Sequence, residues 1–214
     1  MATPLYNAHQ APLQMPQGAN LGLWYTRFFN QYTDDWQVND ASKQGWLNTV
    51  TPRAVQSKLP FEAASKRLRH LCTALDGALQ EFATEWHFVT GLGLSHPVEN
   101  GFTWHHTLGA PYLPASSVKG LLRAWVEVWM DDEAIAKIRT GTRQEMMSHW
   151  FGTAKGDSET EGVGSLLFFD ALPTDVPQLS ADVMTPHMGA WYEQGGSIAS
   201  ENISTVGCCV PNAS

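Results

Sequence analysis

The residues best suited to chemistry lie at the start of a predicted helix, where two serines are followed by two cations. Ser116 or Ser117 is expected to cap the helix. Lys119 and Arg123 are four residues apart, so they project from one face beside the positive end of the helix dipole. With the free backbone amides of residues 116–118 they would form a compact phosphate site. The same pattern also suits a structural helix whose basic side is simply solvated.

The same residues allow a second chemistry, because Ser116-Ser-Val-Lys119 fits the S-x-x-K pattern of β-lactamases and penicillin-binding proteins. In that pattern the lysine lies beside a nucleophilic serine. Loose companions are Arg139-Thr-Gly141 and Ser200-Glu-Asn202, but they come in the wrong order. The first also follows Ser116 too soon for the sheet strand that it should occupy. A serine acyl hydrolase or transferase is therefore the alternative hypothesis.

Metal and cofactor sites find little support in the sequence. His96, His105 and His106 lie in one loop, but adjacent histidines point apart in an extended chain and no ligand spacing accompanies them. Three cysteines, two of them adjacent, give neither a disulfide framework nor a C-x-x-C knuckle. Gly91-x-Gly93 lacks the third glycine of a dinucleotide fingerprint. We therefore predict no metal and no cofactor.

Hydrophobic spacing predicts the helices and strands that must position these residues. The helices are expected from Leu21 to about Asp34, from Pro60 to Phe82, from Ser116 to Trp129 and from Asp132 to Trp150. Strands are expected from Glu85 to Leu94, ending in the Gly91-Leu92-Gly93 turn, and from Ser165 to Phe169. The helix that begins at Ser116 should bury one apolar stripe. That stripe consists of Val118, Leu121, Leu122, Trp125, Val126 and Trp129, and the opposite, exposed stripe consists of Ser116, Lys119, Arg123 and Glu127.

Composition predicts one packed globular core and a cytoplasmic protein. Hydrophobic residues make up 43% of the 214 residues, and nine are tryptophan. The apolar runs fall short of the roughly 20 residues that cross a bilayer. The first 17 residues lack the basic start and apolar centre of a signal peptide. No membrane partner is expected.

The charge is unevenly distributed, although the net charge of −8 normally counts against a nucleic-acid binder. Five of the thirteen basic residues fall between Arg53 and Arg69. No basic residue follows Lys155, and eight acidic residues lie from Asp157 to Glu201. One surface could therefore be positive while another, in the acidic C-terminal third, faces protein. Ordinary solvated faces would explain the same distribution.

Several motifs in a fixed order resemble the RAMP (repeat-associated mysterious protein) superfamily. The segment Gly109-Ala-Pro-Tyr-Leu-Pro-Ala-Ser-Ser-Val-Lys-Gly-Leu-Leu-Arg123 is similar to the signature that opens the first helix of the RRM-like fold in this superfamily. The other matches are Val89-Thr-Gly-Leu-Gly-Leu94, Trp150-Phe-Gly152, Gly164-Ser-Leu-Leu-Phe-Phe-Asp-Ala171 and Asp182-Val-Met-Thr-Pro-His187 with Trp191-Tyr192. The Asp182–His187 stretch is similar to one typical of the sixth subunit of type III-B CRISPR Cmr complexes.

The resemblance implies an α+β fold, RRM-like (ferredoxin-like) with helical insertions. It further implies that residues 1–82 form an N-terminal extension and helical region and that residues 83–214 form the RRM-like core with the acidic segment. The expected partners are crRNA, target RNA, and the backbone and neighbouring subunits of a Cmr complex. In that family the subunit holds the 3′ side of the crRNA and caps the backbone filament. The implied RNA-binding residues are Gly91, Gly93, His105, His106, Ser116, Ser117, Lys119 and Arg123.

The sequence departs from the family pattern in two places. Ala115 stands where glycine is usual, so a positive φ at that position would strain the helix start. The second half of the fold should contain a further helix and strand and a glycine-rich loop, which are not evident before Ser214.

The resemblance also implies that the chain does not cut RNA. Backbone subunits that do cut carry an aspartate where this chain has His105 or its neighbour. No aspartate occurs from Phe88 to Met130, and Glu99 is the nearest carboxylate. We therefore expect a protein that binds RNA and is not an enzyme.

Overall fold

A computed structural model describes residues 12–52, 58–138, 141–153, 162–184 and 205–209. Within them the chain forms α1 (Leu21–Arg27), α2 (Asp40–Val50), α3 (Leu59–Ala74), β1 (Ser95–His96), β2 (Glu99–Asn100), α4 (Ala115–Val128), α5 (Asp132–Ile138), α6 (Arg143–Phe151), β3 (Ser180–Met184) and β4 (Thr205–Cys209). The strands form two antiparallel pairs, β1 with β2 and β3 with β4. The predicted mixed α+β class is confirmed.

The chain folds as two compact units. The larger unit comprises Met1–Tyr112 with Leu172–Ser214, and the smaller unit comprises Leu113–Ala171. The predicted division between residues 82 and 83 follows a different line and stays a prediction.

An aromatic core holds the larger unit together. Trp24 stacks on Trp46 with ring centroids 6.0 Å apart, and Tyr25 stacks on His96 at 4.2 Å. The other members of this core are Leu21, Phe29, Leu47, Val50, Phe61, Ala64, Val98, Phe102, Trp104, Leu108, Ala110 and Leu179. Because Trp104 and Val98 come from the segment after α3, the predicted loop from His96 onward is largely built into the core.

Helices α1 and α3 are shorter than predicted, and each has a local cause. Helix α1 ends at Arg27, beyond which Phe29 leaves the helix and packs edge-on against Tyr32. Helix α3 ends at Ala74, where Asp76 takes a φ of 51° and the Gly77 amide donates to the Cys72 carbonyl at 2.7 Å. This is a common way of closing a helix C-terminus.

The single helix predicted over Asp132–Trp150 is two helices, α5 and α6. Thr142 caps α6 with a capping box: its hydroxyl accepts from the Glu145 amide, and the Glu145 carboxylate accepts from the Thr142 amide at 2.8 Å. The Arg143 guanidinium then donates to the Met130 carbonyl at 2.6 Å and to Asp132 at 2.7 Å. One arginine thus ties together the end of α4, the start of α5 and α6.

The two predicted strands are extended chain instead. In the Glu85–Leu94 segment, Phe88 forms an isolated bridge, the Thr103 amide donates to the Thr90 carbonyl at 3.1 Å, and the Gly101 amide donates to the Leu94 carbonyl at 2.7 Å. In the Ser165–Phe169 segment the Ser165 and Leu166 amides donate to carbonyls at the end of α6. Both predictions of regular strands were wrong, because among the described residues these segments make only scattered backbone hydrogen bonds and no continuous ladder.

Helix α4 does not bury the predicted stripe. Val126 is its one fully buried residue, whereas Leu121, Trp125 and Trp129 are 65%, 50% and 77% exposed. Val126 packs into the core of the smaller unit with Ile135, Met146, Met147 and Phe151. Among the described residues, no helix combines the length and apolar character needed to span a bilayer.

Stability should fall below pH 6.5 because His96 must stay neutral in the fold. Its Nε2 donates to the Tyr25 carbonyl at 2.8 Å, and its Nδ1 accepts from the Val98 amide at 3.2 Å. Burial lowers the pKa of His96, and the bond to Tyr25 opposes that shift only in part. The unfolded chain therefore binds a proton first as the pH falls, which favours unfolding.

Urea denaturation from pH 7.5 to pH 5 measures this effect. The parent should lose more free energy of unfolding over that range than His96→Gln, which has no titrating group at this position. Equal losses in the two proteins would show that His96 does not contribute.

Candidate functional site

The start of α4 is held by a carboxylate near the C-terminal end of the smaller unit. The Ala115 amide donates to Asp170 Oδ1 at 2.7 Å. Next to it, Leu113 and Ala171 exchange two backbone hydrogen bonds of 3.1 and 2.9 Å. Together they fix the extended approach that the two prolines favour and set the direction in which α4 leaves.

The predicted serine cap was wrong. The N-cap residue is Pro114, whose side chain cannot accept a hydrogen bond, and Asp170 supplies the acceptor instead. The amides of Ser117 and Val118 donate to the Pro114 carbonyl at 2.8 and 3.0 Å. A ligand phosphate would therefore find fewer free amides here than the sequence indicated. Ala115 lies in the first helical turn without a positive φ, so its replacement of glycine causes no strain.

Lys119 and Arg123 lie side by side on α4, but not on the exposed side opposite the buried stripe, where the sequence predicts them. Both are half-buried, since they precede Val126 and Met130 by seven residues each and share the side of the helix that faces the core of the smaller unit. Within the part of the chain that the structure describes, neither forms an ion pair. Ser116 and Ser117 are exposed one turn earlier. The helix thus presents two cations and two hydroxyls within two turns.

The two glycines of the predicted site differ in what surrounds them. Gly91 has a φ of 74°, and a Cβ there would come within 2.6 Å of the Thr103 amide nitrogen. Glycine is therefore required at this position, because any side chain would clash with the Phe102–Thr103 backbone. Gly93 is exposed and has nothing within 4 Å of such a Cβ, so a ligand could approach its backbone.

The two adjacent histidines also have different surroundings. His105 Nδ1 accepts from the Leu108 amide at 3.2 Å, which places the proton of the neutral ring on Nε2. Its ring lies edge-on to Tyr112 at 5.3 Å. The His106 side chain is exposed, and its carbonyl accepts from Asn20 Nδ2 at 2.8 Å.

Asn20 is a residue that sequence reasoning missed. Its Oδ1 also accepts from the Leu23 amide at 2.9 Å, so one amide side chain caps α1 and anchors the His106 turn. An asparagine just before an apolar helical run is a capping signal that the sequence does contain. Its second bond spans 86 residues and has no sequence signal.

The predicted site residues divide equally between the two units. Gly91, Gly93, His105 and His106 belong to the larger unit, and Ser116, Ser117, Lys119 and Arg123 belong to the smaller unit. The four residues of the smaller unit lie within three turns of α4, and in the larger unit Gly91 packs against Thr103, two residues before His105.

The described residues do not support the serine acyl hydrolase or the histidine metal site. Ser200–Asn202, which an acyl hydrolase would need, and Arg139 lie outside the described residues. His96 is built into the aromatic core by its two hydrogen bonds. In the described ranges no three His, Cys, Asp or Glu side chains are placed to share a metal ion.

Three acids of the C-terminal third have contacts within their own unit. Asp170 caps α4, Asp175 pairs with Lys58 at 3.4 Å, and Asp182 lies 3.3 Å from His87 Nδ1. The Val176 amide, and after it Lys58, hold the pKa of Asp175 below its ordinary value. The other five acids of that third lie outside the described residues.

Comparison with known proteins gives a consistent family. The model of the RAMP superfamily matches residues 47–205. The chain is 25% identical, over 171 aligned positions, to the CRISPR system Cmr subunit Cmr6 of Pyrococcus furiosus, covering 58% of this chain and 50% of that protein.

A solved structure has a similar fold. The chain matches, with a TM-score of 0.51 and 17% identity, a chain in the cryo-EM structure of the type III-B Cmr-beta complex bound to cognate target RNA. The match covers 79% of this chain and 56% of the other. The chain therefore spans about half the length of the relatives it matches.

Replacing Gly91 and Gly93 separately with alanine distinguishes the glycine that packing requires from the glycine whose backbone is open to a ligand. Gly91→Ala should lower the free energy of unfolding by about 1–3 kcal/mol, because the new Cβ meets the Thr103 backbone at a strained φ. Gly93→Ala should change it by no more than about 0.5 kcal/mol. Urea denaturation of both variants measures the difference. Equal stabilities would contradict the packing role given to Gly91.

Proposed function

Because the superfamily model matches residues 47–205, the chain belongs to the RAMP superfamily, and we propose that it is a non-catalytic RNA-binding subunit of a type III-B Cmr complex. The observation that carries this proposal is the pair of cations on α4, Lys119 and Arg123, with no acidic partner among the described residues. Half-buried cations left without a carboxylate are suited to an anion from outside the chain.

In this proposal, side chains of α4 contact the RNA more than the backbone amides at its N-terminus do. Asp170 already occupies the Ala115 amide, and its charge lies at the helix N-terminus where a phosphate would otherwise bind. The phosphate contacts are therefore displaced one to two turns along α4, to Lys119 and Arg123, with the exposed hydroxyls of Ser116 and Ser117 as further donors. Such contacts are independent of base sequence, as a subunit that holds many different crRNAs requires.

The larger unit offers an exposed turn of its own. The His106 side chain and the backbone at Gly93 are accessible, while His105 and Gly91 hold the turns in place. We assign His106 and Gly93 to contact with the crRNA–target duplex or a neighbouring subunit. His105 and Gly91 then act as positioning residues.

The place in the complex rests on the resemblance to Cmr6. The chain would hold the 3′ side of the crRNA, cap the filament of backbone subunits and work in the cytoplasm. The acidic C-terminal segment after Lys155 would face neighbouring subunits, because it has no lysine or arginine with which to contact RNA.

Removing the two cations of α4 should weaken RNA binding across unrelated sequences. Lys119→Ala with Arg123→Ala should reduce the slope of log K against log salt by roughly 0.7 for each phosphate that the protein no longer neutralises. Fluorescence anisotropy with two unrelated single-stranded RNAs, at salt concentrations from low to above physiological, measures both effects.

The matched control for this experiment is Lys137→Ala, which removes an exposed cation of the same unit on α5. It should leave affinity and slope close to those of the parent. If the double variant binds like the parent at every salt concentration, Lys119 and Arg123 are only the basic side of a structural helix.

The chain should not cut target RNA. A reconstituted Cmr complex should keep all its cleavage products when His105 and His106 are both changed to Ala, and lose them when the aspartate of the backbone subunit is changed. Glu99 is best left intact, since it pairs with Lys43 and has a φ of 80°. Loss of one cleavage product in the double histidine variant, with assembly and target binding unchanged, would identify this chain as catalytic.

A further inference from the structure

An open groove of about 290 Å³ lies on the larger unit, and none of its lining residues takes part in the proposed function. Helix α3 forms one side of it, and the chain around Glu81 and Thr174 forms the rest. Its lining is almost entirely polar: Glu62, Ser65, Lys66, Arg69, His70, Glu81 and Thr174. Its volume is at the lower end of the range for small-molecule sites, which suits a ligand of about nucleotide size.

Two ion pairs hold the walls of this groove in place. Arg69 on α3 pairs with Glu81, and Lys58 just before α3 pairs with Asp175, next to Thr174. Of the lining residues, Arg69 and Glu81 are therefore already paired with each other. Glu62 is left at the end nearest the start of α3.

The lysine of the lining has no acidic partner. Lys66 is exposed on α3 and forms no ion pair within the described ranges. His70, one turn beyond Lys66, is also exposed. The groove therefore offers positive charge and hydroxyl donors to an anionic group.

An exposed aromatic residue directly follows one of the lining residues in the chain. Phe82 is 89% exposed and directly follows Glu81, whose carboxylate binds Arg69. Trp86, four residues later, is 74% exposed. Water-exposed rings next to cations are the arrangement by which proteins hold single-stranded nucleic acid, because bases stack on the rings and phosphates meet the cations.

We propose that the α3 groove and Phe82 bind one or two nucleotides of single-stranded RNA, with a base stacked on Phe82 and its phosphate at Lys66 and His70. The free carboxylate of Glu62 argues for a nucleotide over a simple phosphate ion, because ribose hydroxyls and base amino groups can donate to it. Stacking on Phe82 requires an unpaired base, so duplex RNA is a poor ligand. This inference rests on the proposed function and deepens it by adding a second RNA-binding site, and it can fail while the α4 site stands.

The test is anisotropy of a short labelled single-stranded RNA on the purified chain. Phe82→Ala should weaken binding about 5- to 100-fold, the equivalent of one base that no longer stacks. Phe82→Trp should restore it, because any aromatic ring provides a stacking face. With 2-aminopurine in the RNA, the parent and Phe82→Trp should quench its fluorescence and Phe82→Ala should not. Lys66→Ala should lower the slope of log K against log salt by roughly 0.7 for the phosphate that it no longer contacts.

Two further variants distinguish RNA binding at this site from RNA binding at the α4 site. Leu121→Ala removes an apolar side chain that is 65% exposed in the smaller unit, and it should bind RNA like the parent. In a Lys119→Ala, Arg123→Ala background, Phe82→Ala should still reduce what binding remains. If the α4 variant loses binding but Phe82→Ala does not, the α3 site is overturned and the α4 site stands.

The α3 site is equally overturned by three other results. One is a parent chain that does not bind the single strand. Another is duplex RNA binding as tightly as single-stranded RNA. The third is a Phe82→Ala variant that loses a protein partner with RNA affinity unchanged, which would show that the exposed ring serves a protein interface.

Discussion

The hydrogen bond from the Ala115 amide to Asp170 closes the smaller unit, and the geometry of α4 depends on it. It joins residues 55 positions apart, and the Leu113–Ala171 pair beside it draws the two ends of the unit together. A carboxylate at a helix N-terminus stabilises by about 1 kcal/mol through both the hydrogen bond and the helix dipole. Because the direction of α4 is fixed in this way, Val126 faces the core, and Lys119 and Arg123 share that side of the helix.

In the larger unit, Asn20 has a role comparable to that of Asp170. Its side chain caps α1 and binds the carbonyl of His106, so a helix near the N-terminus anchors a turn 86 residues later. Gly109 completes the turn with a φ of 61°, and a Cβ there would meet Asn20 Oδ1 at 2.8 Å. In both units a single polar side chain, distant in sequence, sets where the candidate RNA-binding residues lie.

Local signals in the sequence are sufficient for part of this structure. The proline-flanked start of α4, the spacing of Lys119 and Arg123 and the mixed α+β class could all be predicted. Two helix ends could have been placed better, because Asp76-Gly77 and the Thr142-to-Glu145 capping box are visible signals. The cap at Asp170 could not be predicted, since its partner is 55 residues away. The exposed side of α4 was missed because hydrophobic spacing identifies an apolar face without showing what covers it.

RNA binding as part of a Cmr complex is the central claim, and the RNA that copurifies with the chain tests it most directly. The chain should be tagged, the intact multisubunit complex isolated under native conditions, and the bound nucleic acid sequenced. The claim predicts crRNA that carries a repeat-derived tag, with much less of it recovered when Lys119 and Arg123 are changed to Ala. An intact complex that contains the chain but no such RNA would contradict it.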